Sequence, residues 1–441
     1  MRLAFVPIDN RPVCYTLPKL IADIDEGIEF LMPERNLLGG LTKNADVEGL
    51  FSWLRDLQKL DVIILSLDTL AYGGLVSSRR CPETFEQIKK RVETLRDILK
   101  EKDCKIYAFS SIMRISNNNF NIEEKEYWSD WGKKIFKYSY DGCVDSGDIP
   151  QDILEDYLKT RKRNFDINKL YLEWQKEGLF EKLIFSKDDC AEFGINVDEA
   201  KELESLGGFT KTGADEIPLS LLSCAIQGDI SVCPIFLEPE HKNHVSNYED
   251  ISIEKSVLGQ LELAGCRVVS QNDADILLYV NNFKDKQGEI VMGVDTENFS
   301  GIFETPATPY MIVDVRFANG ADNNFVDALF KDKFIDENFY GYSAWNTSAN
   351  SLGSLICAAK VKFLASKYNE KAFKKVQITR FLDDWAYQAN VRQTLKNPDI
   401  DMLNSGMKEY EKIVAKVLET EVDVKYIFPW ERLFEVEVEF N

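Results

Sequence analysis

Two pairs of adjacent carboxylates are the residues of this sequence best suited to acid–base chemistry. Asp188 and Asp189 end the stretch KLIFSKDD, and Asp215 and Glu216 lie in TKTGADE. Neighbouring strand residues point to opposite faces, so we expect one group from each pair to act together. A helix that begins after TGADE favours an ionised carboxylate at its N-terminus, and a partner with a raised pKa donates the proton. These four residues are the predicted catalytic candidates, although Asp215 suits a helix N-cap equally well.

Polar side chains also follow several other apolar runs, such as LAFV, VIILS and YMIV. Ligands of α/β proteins bind where parallel strands end, so polar groups at these positions indicate a binding cleft. A single polar strand end is more often a turn or a cap, but here the pattern recurs along the chain. The predicted substrate-binding residues are Asp9, Asn10, Arg11, Asp68, Tyr72, Arg79, Arg114, Asp314, Asn319, Asp322, Trp345, Asn346, Asn350 and Asp384.

Two of these predictions carry specific alternatives. We expect Trp345 and Asn346 to provide a stacking face and hydroxyl contacts, but Trp345 could instead pack in a core. Asp383 and Asp384 lie in TRFLDDWAYQANVR, a helical pattern. Adjacent helical residues project about 100° apart, so at most one of them faces a cleft. The alternative for Asp384 is an ion pair with Arg380 on the helix surface.

Histidine chemistry is disfavoured by the composition. The chain has only two histidines, His241 and His244, and both lie in the polar stretch EPEHKNHVSNYED. Polar stretches of this kind are typical of solvated loops. Catalytic acids and bases are therefore expected among Asp, Glu, Lys, Tyr or Cys.

The elements that position these residues form a repeated βα pattern. Apolar runs alternate with amphipathic segments, which predicts an α/β fold with parallel sheets. We predict two doubly wound, Rossmann-like domains facing a cleft plus C-terminal helices, with one elaborated (β/α)8 barrel as the alternative. The predicted segments are an N-terminal α/β domain over residues 1–237, a second α/β domain over 238–375, and C-terminal helices with a terminal strand over 376–441.

Composition excludes several classes of partner. The formal net charge of −21 repels phosphate backbones and anionic lipids, so we expect neither nucleic acid nor membrane partners. No apolar run approaches the roughly 20 residues of a membrane span, and the N-terminus enters a strand directly. Nine scattered cysteines suit a reducing compartment, so the expected location is the cytoplasm. The sequence is also compatible with a homo-oligomer.

Familiar cofactor motifs are missing from the sequence. It contains no GxxxxGK[ST], no GxGxxG after the first strand and no GxSxG. We therefore expect no cofactor and assign no metal ligand. Convergence of Asp9, Asp68, Asp188 and Asp314 on Mg²⁺ or Mn²⁺ remains an alternative.

Several motifs together resemble a known family. In chain order they are PIDNRPV, SLDTLAYGGLVSSR, AFSSIMRIS, SKDDCAEFG, TGADE, RFANGAD, AWNTSANSLG, RFLDDWAYQANVR and FPWERLFEVE. They resemble the bacterial domain-of-unknown-function family 4127 (DUF4127) over nearly the whole chain. The resemblance implies no settled activity. Related chains are associated with sugar catabolism, which favours a carbohydrate ligand.

These features lead to a carbohydrate-active enzyme as the expected function. Carboxylates can protonate a leaving oxygen and attack or activate water, as in glycoside hydrolases. Aromatic rings stack on sugars, while Asn and Arg bind hydroxyls. The alternatives are a carboxylate-bound Mg²⁺- or Mn²⁺-dependent hydrolase or lyase, and a sugar-binding protein without catalysis.

Overall fold

A computed structural model describes residues 1–331 and 335–441. The strands are β1 Arg2–Val6, β2 Glu29–Leu31, β3 Val62–Ser66, β4 Lys105–Ile112, β5 Lys182–Lys187, β6 Thr210–Thr212, β7 Ser231–Phe236, β8 Arg267–Val268, β9 Ile276–Asn281, β10 Gly288–Glu289, β11 Tyr310–Asp314, β12 Phe317–Ala318, β13 Phe339–Ser343, β14 Val424–Ile427 and β15 Glu437–Phe440.

The α-helices alternate with these strands over most of the chain. They are α1 Thr16–Ala22, α2 Val47–Asp56, α3 Leu67–Tyr72, α4 Leu75–Arg80, α5 Phe85–Lys100, α6 Trp128–Tyr140, α7 Gln151–Lys176, α8 Ile195–Ser205, α9 Ile217–Ala225, α10 Ile253–Leu263, α11 Asn323–Lys331, α12 Ser348–Leu364, α13 Glu370–Arg380 and α14 Ile400–Val417. Short 3₁₀ helices cover Arg35–Leu37, Pro239–His241, Gln271–Asp273 and Val391–Thr394, and a π-helix covers Phe381–Asn390.

The chain forms two compact units. The first contains Met1–Asn10, Glu29–Pro218 and Tyr248–Asp250, and the second contains Arg11–Ile28, Leu219–Asn247 and Ile251–Asn441. Each unit has its own parallel sheet and its own buried core.

The sheet of the first unit is parallel, with strand order β2-β1-β3-β4-β5-β6. Leu3 pairs with Val62, and Ile64 pairs with Tyr107, which sets the register of its centre. The central strands are apolar and buried, as expected for strands covered by helices on both faces. Helix α5 shows how a covering helix forms: Thr84 and Gln87 make a capping box, and its buried residues recur at helical spacing.

The second unit repeats the same topology. Its five-stranded parallel sheet runs β8-β7-β9-β11-β13, so in both sheets the second strand lies outside the first. This is the order of doubly wound α/β folds, which place ligands outside the carboxyl ends of the strands, where the strand order reverses. Strands β7, β9 and β11 share an apolar core with α10 and α12. Small two-stranded sheets, β10-β12 and β14-β15, complete the second unit in the described ranges.

The predicted α/β class with repeated parallel βα units is confirmed. Both main sheets are open, so in the part of the chain that the structure describes the barrel alternative is wrong. Two local features differ from the secondary structure predicted from the sequence. Strand β6 in FTKTG was not predicted, because only three residues pair with β5. The pattern TRFLDDWAYQANVR, predicted as helical, changes at Phe381 from α to π and at Val391 to 3₁₀.

Candidate functional site

The carboxyl edge of the first unit's sheet carries the candidate site. Asp68 lies in the first turn of α3, which directly follows β3, and its carboxylate accepts the backbone N–H of Ser111 in β4 at 2.8 Å. Arg114 follows the end of β4, and Asp188 follows the end of β5. Strands β3, β4 and β5 are parallel neighbours, so their ends bring these residues to one edge.

Arg114 is the centre of an ion-pair cluster at this edge. Its Nη2 donates to Glu123 Oε2 at 2.8 Å, and its Nε donates to Glu124 Oε1 at 3.0 Å. Its Nη1 donates to Asp189 Oδ2 at 2.9 Å and lies 3.9 Å from Asp188 Oδ2. The charges of these carboxylates raise the pKa of Arg114 well above its ordinary value against the opposing effect of burial. The Arg114 guanidinium therefore holds four carboxylates together. We call Arg114 and these carboxylates, Glu123, Glu124, Asp188 and Asp189, the Arg114 cluster.

Arg79 joins the Arg114 cluster from α4. Its Nη1 donates to Glu124 Oε1 at 2.7 Å, while its Nη2 lies 3.8 Å from Glu123 Oε2. The Arg79 side chain is only 2% exposed, yet its Nε and Nη2 have no hydrogen-bond partner among the described residues. Unpartnered buried donors are costly, which is why such groups commonly mark a place where a ligand or water binds.

The chain before α4 must turn sharply to present Arg79. Gly73 has φ +92° and Gly74 has φ +136°, both in the region that favours glycine. A Cβ at Gly73 would lie 2.9 Å from Asn44 Cβ, so this position also lacks space for a side chain. The motif YGG thus links α3 to α4 and positions Arg79.

Asp188 and Asp189 differ from ordinary surface carboxylates. Burial, and then the charge of Asp188, raise the pKa of Asp189 to about 6, while Arg114 acts in the opposite direction. Burial likewise raises the pKa of Asp188 against the effect of Arg114. Asp188 Oδ2 has no hydrogen-bond partner within the described ranges. Asp189 has φ +33°, an unusual backbone conformation for a residue with a side chain, and such conformations concentrate at functional sites.

The second predicted carboxylate pair also belongs to the first unit. Helix α9 begins at Ile217, so Asp215 and Glu216 immediately precede its N-terminus, as the sequence indicates. Asp215 is close enough to raise the pKa of Asp188 by charge repulsion. A side chain at Gly213, which has φ +106°, would collide with the Glu216 carboxylate, so the glycine lets that group fold back over the TGADE loop.

The remaining predicted residues of the first unit follow β1 or β3, and all of them except the partly exposed Asn10 are buried. Asp9 is 3% exposed and follows β1, and the backbone carbonyl of Asn10 accepts Arg35 Nη2 at 2.7 Å. Burial raises the pKa of Asp68 to about 7, although the Ser111 N–H opposes this change. The Tyr72 hydroxyl has no hydrogen-bond partner in the described part of the chain, and its ring lies 5.3 Å from the guanidinium carbon of Arg163.

The other predicted residues lie in the second unit. Arg11 is 6% exposed, and its guanidinium carbon lies 5.2 Å from the centre of the Trp430 ring. Asp314 ends β11 and accepts Asn281 Nδ2 at 2.8 Å and the backbone N–H of Asp322 at 2.8 Å. Burial and the charge of Asp322 raise the pKa of Asp314 to about 7. Asp314 and Asp322 thus belong to one buried network.

Loops after β12 and β13 carry the next predicted residues. Asn319 and Asn346 have positive φ values of 61° and 60°, and the Asn319 N–H donates to the Asn346 carbonyl at 2.9 Å. Trp345 is only 3% exposed, and Asn350 is 6% exposed in the first turn of α12. The Trp345 side chain is therefore buried.

Asp384 lies in the π-helix. Its Oδ1 is 3.3 Å from Arg380 Nη1, so the ion pair weighed from the sequence is present. The two side chains are 0% and 4% exposed, so this pair is buried and the expectation of a surface pair is wrong. The Ala344 N–H donates to Asp384 Oδ2 at 2.7 Å. Burial raises the pKa of Asp384 to about 6, opposed by Arg380.

Glu123 and Glu124 were not among the predicted site residues. They lie in NNNFNIEEKEY, a polar loop between β4 and α6 without a hydrophobic period. Nothing local in the sequence distinguishes them from a solvated charged pair. Their partners Arg79 and Arg114 are 45 and 10 residues away from Glu124 in the chain, so only the fold brings them together.

The fold and this site define an α/β protein with two doubly wound parallel sheets and a carboxylate-rich strand edge. The chain belongs to the family described as "Protein of unknown function (DUF4127)", which matches residues 3–439. The resemblance noted in the motifs is therefore confirmed. The comparison with curated proteins gives no match. Among the described helices, none combines the length and apolar character needed to cross a membrane.

Proposed function

We propose that the protein is a hydrolase of glycosidic bonds that uses carboxylate acid–base chemistry at the Arg114 cluster. The observation that carries this proposal is the Asp188–Asp189 pair. Burial raises both pKa values, Arg114 fixes the position of Asp189, and the Asp189 backbone is left-handed. Raised carboxylate pKa values at the carboxyl ends of parallel strands support a functional site at this position.

The roles follow from the environments of the carboxylates. With a pKa of about 6, Asp189 keeps a protonated fraction near neutral pH and can donate a proton to the glycosidic oxygen. Asp215 precedes the N-terminus of α9, where the helix dipole favours negative charge, and is the base or nucleophile in this proposal. This division into acid and base is the one that glycoside hydrolases require.

A polyol suits the unpartnered groups of this edge. Arg79 Nε and Nη2 offer donors, and Asp188 Oδ2 offers an acceptor. Sugar hydroxyls both donate and accept hydrogen bonds, so they match both kinds of group. A phosphorylated substrate fits less well, because it would add negative charge beside four carboxylates.

Metal binding is disfavoured at the four carboxylates of the Arg114 cluster, although Asp9 and Asp215 bring carboxylate oxygens within 4.8 Å of each other. Within residues 1–331 and 335–441, the four carboxylates do not bring three oxygens within 4.8 Å of one another. Arg114 already donates to Glu123, Glu124 and Asp189, so a divalent ion would compete with a fixed guanidinium. The proposal accordingly assigns no metal, takes a small carbohydrate as the partner and leaves nucleic acid out.

The proposal also includes a cytoplasmic location. All nine cysteines are free, which agrees with a reducing compartment. Oligomerisation is not needed for the chemistry, because the groups invoked all belong to one unit of one chain.

The test is hydrolysis of a panel of aryl glycosides by the full-length protein, with EDTA and with Mg²⁺ or Mn²⁺. We expect release of the aryl group from at least one glycoside, at a rate that EDTA does not change. Activity that disappears with EDTA and returns with the metal would favour the metal-dependent alternative. Ligand-dependent thermal stabilisation by sugars without any turnover would instead identify a binding protein.

A further inference from the structure

The exposed part of the Arg114 cluster is predominantly negative. Asp189 is 32% exposed, Glu123 is 19% exposed and Asp188 is 17% exposed. The two guanidinium groups are less accessible, at 15% for Arg114 and 2% for Arg79. Four carboxylates surround the guanidinium groups of Arg79 and Arg114, and the charge of Arg80 also acts on Glu123 and Glu124, so a ligand that reaches the cluster meets a small excess of negative charge.

The unpartnered atoms show what a ligand would have to supply. Asp188 Oδ2 lies 3.9 Å from Arg114 Nη1, too far for a hydrogen bond, and it has no other hydrogen-bond partner in the described chain. It therefore lacks a donor, and a charged donor suits it best. Arg79 is the independent observation: its buried Nε and Nη2 lack acceptors, and its Nη1 is fixed on Glu124 of the same cluster.

We infer that the sugar recognised at the Arg114 cluster is an amino sugar, with its ammonium group on Asp188 and a neighbouring hydroxyl on Arg79. This inference rests on the proposed function and narrows its substrate class. A sugar ring that carries an ammonium group beside a hydroxyl offers a cationic donor to Asp188 and an acceptor to Arg79. A uronic acid would satisfy Arg79 but repel the carboxylates, and a neutral sugar would leave the excess charge uncompensated.

The inference is tested by binding, independently of turnover. Calorimetric titration of the full-length protein at pH 7 compares glucosamine and galactosamine with glucose, galactose and glucuronate at equal ionic strength. A hydrogen bond to a charged group instead of a neutral one predicts roughly 10-fold to 100-fold tighter binding of one amino sugar than of its neutral counterpart. Glucuronate should bind more weakly than glucose.

Asp188→Asn should reduce the ratio of amino-sugar to neutral-sugar affinity to near one. Glu123→Gln reduces the charge of the same cluster and should lower this ratio if Asp188→Asn fails to fold. The matched control is Asp198→Asn, because Asp198 lies on α8 and is 73% exposed. It should leave the ratio unchanged.

The outcomes separate this inference from the proposed function. Equal affinity for amino and neutral sugars would overturn the inference and leave glycoside hydrolysis standing. Methylammonium that binds as tightly as glucosamine would show recognition of a cation without sugar and would overturn the inference. Aryl glycoside hydrolysis restricted to neutral sugars would again contradict only the inference.

Discussion

Asp68→Asn should make the stability of the protein less dependent on pH. Asp68 is 1% exposed, and burial raises the pKa of its carboxyl to about 7 from an ordinary value of 3.8. Between pH 3.8 and about pH 7, the Asp68 carboxyl keeps its proton in the folded state but has lost it in the unfolded state. The unfolding free energy of the wild type therefore falls as pH rises through this window. Asparagine removes this titration and can still accept the Ser111 N–H.

The magnitude follows from the two pKa values. Each pKa unit between the states is worth about 1.4 kcal/mol, so the whole window corresponds to roughly 4 kcal/mol. The chain has a sequence pI near 4.7, and measurements are best made above it. From pH 5.5 to pH 8.5 the wild type should lose about 2 kcal/mol through Asp68 alone.

The assay is the melting temperature of wild type and variant at both pH values. The melting temperature of the variant minus that of the wild type should increase by about 4–8 °C from pH 5.5 to pH 8.5. This follows because about 1 kcal/mol moves the melting temperature by roughly 2–4 °C in domains of this size. Effects of other titrating groups cancel in this difference. Asp97→Asn is the control, since Asp97 is exposed on α5 of the same unit. A difference that stays constant with pH would show that Asp68 is already ionised in the folded protein.

Two further substitutions test how the site is held. Arg79→Met should cost about 1.5–3 kcal/mol of unfolding free energy in urea titrations, because buried Glu124 loses one charged hydrogen bond but keeps Arg114 as a partner; a loss below about 0.5 kcal/mol would contradict this. Gly73→Ala should destabilise more than Gly178→Ala. Both glycines have positive φ values, +92° and +85°, but only Gly73 has atoms within 4 Å of an added Cβ. Equal losses of unfolding free energy would show that the cost at Gly73 comes only from the left-handed backbone conformation, which is worth about 1–2 kcal/mol.

The sequence was sufficient to predict the strands that position the site. Long buried strands such as VIILS and KIYAFSSI have continuous apolar runs, and the polar residues that follow them do lie at strand ends. Parallel pairing then brings Asp68 close to β4 without further information. Short strand β6 lacks such a signal, because its three residues are determined by pairing with β5.

Charge partners across the fold could not be predicted in the same way. Glu124 contacts Arg79 and Arg114, and these contacts depend on how the loop after β4 returns to α4. The π-helix was also missed, since its sequence has the same hydrophobic pattern as an α-helix. For Arg380 and Asp384, spacing predicts the contact but not its burial, which depends on tertiary packing.

The most direct measurement is the turnover of Asp189→Asn on the aryl glycoside that the wild type hydrolyses fastest. If Asp189 is the general acid, kcat should fall by roughly 10² to 10⁴ at pH 7, while the melting temperature stays close to that of the wild type. Asp198→Asn, at an exposed position of α8, should retain wild-type turnover. A folded Asp189→Asn protein with turnover within about 2-fold of the wild type would contradict the central claim that Asp189 is the general acid, because general acid catalysis by Asp189 requires a carboxyl proton.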